Sequence, residues 1–120
     1  MITDTFLNEL ATVINGGTMD VPSHIGFTST ALTLSGTDTS MSGEFGNRVS
    51  VSGTRVLSNT TFGGLRGGAV ASSSGDTINA IGLFDASTTG DLYAEALVPS
   101  VIHTSTFDFE IDWGIRVSRK

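Results

Sequence analysis

From Phe107 onward the chain alternates with a period of two. Phe107, Phe109, Ile111, Trp113, Ile115 and Val117 are apolar, while Asp108, Glu110, Asp112, Gly114, Arg116 and Ser118 between them are polar or small. Successive side chains of a strand point to opposite faces, so this pattern predicts a strand with one buried face, roughly 40 Å long at the usual rise per residue. Trp113 falls on the apolar side and is expected at the packing centre with Phe109. The rest of the composition agrees. Val and Ile together number 17, whereas Glu and Lys, which favour helices, number 5. Threonine, at 17, adds a third β-favouring residue.

Shorter strand signals precede this one. His24 to Phe27 and Ala31 to Leu34 are short apolar pieces, and Pro22 bars a central strand position just before them. Residues 35–46 read as a long polar loop. Arg48 to Leu57 alternates, with Gly53 read as a bulge or turn. Residues 61–71 carry glycine pairs at 63–64 and 67–68, as in a bent strand or a close backbone approach. Ile78 to Phe84 and Leu92 to Val98 read as strands joined by a hairpin turn over 87–91. The expected class is all-β: an antiparallel β-sandwich of about six to seven strands with a short N-terminal helix. That helix covers 5–14, where Phe6, Leu7, Leu10, Val13 and Ile14 recur at helical spacing. Thr3 or Asp4 can cap it, and Gly16-Gly17 can stop it. The organisation expected is an N-terminal helix and hinge over 1–17 and one β-domain over 18–120.

Composition excludes several function classes. The 120 residues contain no cysteine, which removes disulfides, thiolate nucleophiles and thiolate metal sites. A net charge of -6 with a single lysine argues against nucleic acid as a partner. No apolar run is long enough for a membrane helix, and the first 15 residues lack the basic region of a secretory signal. Charged residues make up 15%, so hydroxyls and glycine replace the usual Lys and Glu surface. Such a surface suits contact with other protein, and equally suits ordinary Ser/Thr-rich loops.

The chemical readings are weak. His24 and His103 have no GxSxG elbow and no metal spacing beside them. Asp76, Asp85 and Asp91 lie in turns whose own chemistry accounts for them. Asp108, Glu110 and Asp112 form a carboxylate row. Ligands about 7 Å apart along a strand cannot all reach one ion, which leaves a solvated face or a face that meets arginines of a neighbour. No enzyme, metal or cofactor is expected. The candidate interface residues are Phe6, Leu7, Leu10 and Ile14 on the helix, Tyr93 as an outer-face anchor, and Asp108, Glu110 and Asp112. A ten-residue helix is too short to stand alone in water, so its apolar side must pack on its own sheet or on a neighbouring chain.

Ile81-Gly82-Leu83-Phe84-Asp85, then Gly90, Leu92 and Ala94, then Pro99 and the alternating last strand, resemble the "E-x-G-L-F/Y-D … G-x-L-x-A … P" pattern of tailed-bacteriophage virion proteins. His24 to Phe27, the Thr37-Asp38-Thr39 loop, Ser42 to Glu44 and Arg48 are similar to the upstream part of the same group. Ala80 stands where that pattern has glutamate, and Phe27-Thr28 replace its glycine-rich start. The resemblance spans about residues 22–118. It implies a structural component of the virion that acts as a tail-fibre or baseplate attachment module or a capsid decoration. The implied partners are copies of itself, as a trimer where it serves a fibre, and other virion proteins. The rival readings are a receptor- or carbohydrate-binding sandwich and a small hydrolase on a β scaffold.

Overall fold

A computed structural model describes residues 1–57, 61–69, 76–102, 104 and 109–117, and only the backbone at 52–57, 61–69, 109–110, 112 and 115–117. The chain is mostly strand, with one helix, α1 (Asp4–Ile14). The strands are β1 (His24–Thr28), β2 (Glu44–Leu57), β3 (Thr61–Ala69), β4 (Thr77–Phe84), β5 (Leu92–Ile102) and β6 (Phe109–Val117).

Thr3 caps α1 in extended conformation, and its Oγ1 accepts the Phe6 N–H. This satisfies one of the amides that a helix start leaves open. At the other end Gly16 takes a positive φ of 88°. Gly16 N–H donates to Val13 O and Gly17 N–H donates to Thr12 O. These two bonds make a Schellman stop, which occupies the glycines expected to form a hinge.

β1 lies between β2 and β4, and β4 pairs with β5, all antiparallel. The result is a four-stranded sheet in the order β5-β4-β1-β2. The far half of β2, from Val51, pairs instead with β3, and β3 pairs with β6. Gly53 does not break β2; it sits in register opposite Leu65. Gly63, Gly64 and Gly67 of β3 lie between two paired neighbours, with Gly64 opposite both Thr54 and Gly114. Residues 31–34, expected as a strand, lie in the connection between β1 and β2. Phe107 and Asp108 fall outside the described residues.

The two faces of the four-stranded sheet bury different things. On one face Ile25, Phe27, Ile78, Ile81, Leu83 and Ala94 form the main core, with Ile111 and Trp113 of β6 packed against it. Among the described residues the core centres on β1 and β4, with Trp113 half-buried against it, while the Phe109 side chain lies outside the described residues. Alternation in β6 identifies which side is covered but not how deeply. On the other face Gly26 and Gly82 are directly opposite each other. A Cβ at either position would come within 2.9 Å of Phe84 Cε2. The missing side chains leave a shallow bed in which the Phe84 ring lies. Met41, Leu92 and Leu32 complete this second cluster.

Gly82→Ala is expected to destabilise the fold by about 1–3 kcal/mol through overpacking against Phe84, Leu92 and Met41. Gly46 has a φ of 67° and nothing within 4 Å of its Cβ position, so Gly46→Ala should cost only the backbone term, about 1 kcal/mol. Urea unfolding of both variants tests the comparison.

Candidate functional site

The amino-terminal segment docks on the outer edge of β5. Thr3 N–H donates to Tyr93 O at 2.9 Å, and Glu95 N–H donates to Met1 O at 2.8 Å. Ile2 bridges to Ala94 in antiparallel fashion, and the Met1 ammonium donates to Glu95 O. Thr3 Oγ1 also donates to Leu92 O at 2.6 Å. α1 follows directly, so the strap orients it. Phe6, only 9% exposed, meets the Tyr93 ring edge-on, with centroids 5.4 Å apart and planes at 66°. The Tyr93 hydroxyl donates to Asp20 O at 2.9 Å. Burial, reinforced by Asp85, Glu9, Asp91 and Asp20, pushes its pKa up to about 12.

This placement separates the expected interface residues. Tyr93 is buried against α1 and is no outer-face anchor. The sequence could not show this, because the covering residue, Phe6, is 87 positions away. Phe6 likewise serves its own domain. The remaining helix residues are free of that contact. Leu7 is 52% and Ile14 79% exposed; Leu10 is half-buried and Ala11 exposed. Positions 7, 10, 11 and 14 follow the i, i+3, i+4, i+7 rule, so they form one apolar stripe along α1.

The acidic row is placed only by backbone register. Asp112 stands opposite Arg66 and Glu110 opposite Gly68, while Asp108 lies outside the described residues. An arginine of the same chain therefore occupies the cross-strand position beside Asp112. His24 is half-buried, with its Nδ1 2.8 Å from Ser23 Oγ. His103 lies outside the described residues.

A second constellation was not legible beforehand. Between Ile25↔Val49 and Phe27↔Phe45, β2 has two more residues than β1, so it bulges at 46–48. The bulge places the Arg48 guanidinium 3.4 Å above the centroid of the Phe84 ring. Nε and Nη2 donate to the two carboxylate oxygens of Glu44, at 2.6 and 3.0 Å. Nη1 donates to Ala86 O at 3.0 Å and also to Thr89 O. Four of the five N–H groups of the guanidinium are thus directed at its own chain. Glu44 and Arg48 are four apart, a spacing that signals a pair on a helix but not on a regular strand. Only the bulge brings them together.

The turn held by Arg48 is strained. Thr89 has a φ of 51°, unusual for a β-branched residue, and Gly90 follows at 74°. Asp85 Oδ1 accepts the Asp91 N–H at 2.8 Å and closes the turn, as turn chemistry alone would have it. Beside Arg48 opens a groove of about 290 Å³ lined by Glu44, Gly46, Asn47, Arg48, Ser87, Thr88 and Thr89. Its lining is the Glu44–Arg48 ion pair with hydroxyl, amide and peptide groups, without an aromatic platform. Among the described residues no three His, Asp or Glu side chains converge as a metal site would need.

Comparison of the chain with protein families, with curated proteins and with solved structures returns no match.

Arg48→Met removes the guanidinium from above the Phe84 ring and leaves Glu44 and the two turn carbonyls without its N–H groups. A loss of about 2–4 kcal/mol is expected in thermal melts. Thr89→Gly should move the other way. Relief of left-handed strain outweighs the greater freedom of glycine when unfolded, for a gain of about 0.5–1 kcal/mol.

Proposed function

We propose that this chain is a non-enzymatic structural component of a tailed virus particle. It assembles with copies of itself, as a trimer if it serves a fibre, and binds another virion protein in tail or baseplate attachment or capsid decoration. The observation that carries the assembly is the stripe of Leu7, Leu10, Ala11 and Ile14 on α1, exposed except at the half-buried Leu10, beside the Phe6 that pins the helix to β5. Burial of a Leu or Ile side chain is worth about 1.5–3 kcal/mol, so a neighbour covering this stripe gains several. Three residues behind the virion resemblance have structural tasks: Gly82 beds a ring, Asp85 closes a turn and Gly90 supplies a positive φ.

The fold in this proposal is a small sandwich of six strands. The packing of Ile111 and Trp113 on the core of the four-stranded sheet supports it, because β6 hydrogen-bonds to β3 and not to that sheet. The edge of β5 is a poor place for strand addition. Residues 1–3 cover Tyr93 to Glu95, and Pro99 withholds one amide from the remainder. That favours assembly through side chains of α1.

One observation favours the alternative of a receptor- or carbohydrate-binding module: the polar groove beside Arg48. It ranks second because the guanidinium is already engaged with its own chain.

Light scattering after size-exclusion chromatography separates the readings. The wild-type chain is expected to run at a multiple of 12.4 kDa. Ile14→Asp, at a position 79% exposed, should give a folded monomer with an unchanged circular dichroism spectrum. A wild-type monomer at every concentration removes self-assembly from the proposal.

A further inference from the structure

Glu95 lies on β5 where the amino-terminal strap crosses it, and only 2% of it is exposed. Its backbone N–H and C=O are both bonded to Met1. Its cross-strand neighbour on β4 is Gly82, which has no side chain to pair with it. The carboxyl group of Asp38, from the connection between β1 and β2, is within hydrogen-bonding reach of the Glu95 carboxyl. Asp38 is itself positioned by the Ser35 N–H, which donates to Oδ2 at 2.9 Å, and by a backbone bond from its own N–H to Ser35 O. The same turn touches the head of the helix, where Asp4 N–H donates to Gly36 O at 2.6 Å. Strap, helix start and turn 35–38 thus meet over one carboxyl pair.

Two carboxylates in contact repel, and two carboxyl groups sharing one proton attract. We propose that Asp38 and Glu95 form a proton-sharing latch that holds residues 1–4 and the 35–38 turn on the β5 edge, and that loss of the shared proton to solvent loosens this hold. The charged groups around the pair do not supply a substitute. Among the described residues the Met1 ammonium is the cation that acts on it, and it opposes the effect. Asp4, at the helix start, adds a further negative charge beside the turn. Glu44, beyond Gly82 and Gly26, is neutralised by Arg48.

Burial, and after it the hydrogen bond and negative charge of Asp38, push the Glu95 pKa up to about 7 from 4.5, against the lowering effect of the terminal ammonium. A raised carboxyl pKa means that the latched state binds a proton which the released state has lost. The latch is therefore fully closed below about pH 4.5. It weakens as pH rises through the interval to about 7, and is weakest above it.

The test uses the full chain and two readouts. Carboxyl NMR of Glu95 should give a midpoint near neutrality. Hydrogen exchange at the Thr3 and Glu95 amides, corrected for intrinsic rates, should lose at least about tenfold protection between pH 5 and 7.5. Glu95→Gln keeps a neutral donor at all pH values and should hold its protection constant. Asp38→Asn retains an acceptor for Ser35 and should lower the Glu95 midpoint, which decides the matter even if the Gln variant does not fold. An ordinary carboxyl midpoint for Glu95 in the folded wild type overturns the proposal. So does an undiminished pH dependence in Glu95→Gln, or an unmoved midpoint in Asp38→Asn.

Discussion

The outer face of the four-stranded sheet depends on a place where the sheet has no side chains. Gly26 and Gly82 face each other across β1 and β4, and the Phe84 ring lies over both. An aromatic ring lying down on a sheet presents its face upward, and that face is where a guanidinium binds best. Arg48 takes the position. With one side of its plane on the ring, its N–H groups point outward to Glu44 and to the carbonyls of Ala86 and Thr89. A side chain at either glycine would lift the ring and with it the arginine. The ring, the Met41 cover and the arginine above the ring thus all occupy space that two absent Cβ atoms leave open.

The same economy appears at the β5 edge. An open edge exposes unpaired amides and carbonyls, which invite other strands. Here three residues of the strap cover it, and the last of them, Thr3, also caps α1. One hydroxyl thereby joins strand pairing to helix initiation. The helix, too short to persist alone, gains its orientation from the strap and its fixation from Phe6 on Tyr93. Its remaining apolar residues are left outward. A segment held by the strap and by Phe6, and presenting Leu7 and Ile14 to solvent beside that contact, is well placed to report on the state of the β5 edge. The carboxyl pair beneath it gives that edge a chemical sensitivity of its own.

Period-two alternation placed β6 and Arg48 to Leu57 of β2, because side-chain direction along a strand follows from backbone geometry alone; Ile78 to Phe84 and the return strand were marked by the hairpin turn between them. The helix was legible for the same kind of reason, and its Thr3 cap and glycine stop were readable as local motifs. Asp85 and Gly90 were legible too, since a turn is closed by residues a few positions apart. The exposed stripe on α1 was half legible: spacing named Leu7, Leu10 and Ile14, but grouped Phe6 with them. Only the fold separates Phe6, by placing Tyr93 beneath it.

What the sequence by itself determined is therefore local: most of the strand and helix segments, though not 31–34 or the start of β2, and which side of each is apolar. What only the tertiary structure decided is pairing at a distance. The two-residue excess in β2 that lifts Arg48 over Phe84, the burial of Tyr93, the placement of Asp112 opposite Arg66 and the meeting of Asp38 with Glu95 all join residues whose separation along the chain carries no periodic signal. Periodicity reports the direction of a side chain relative to its own backbone. What lies in that direction depends on which strand pairs with which, and that is settled by the burial of all the apolar faces together.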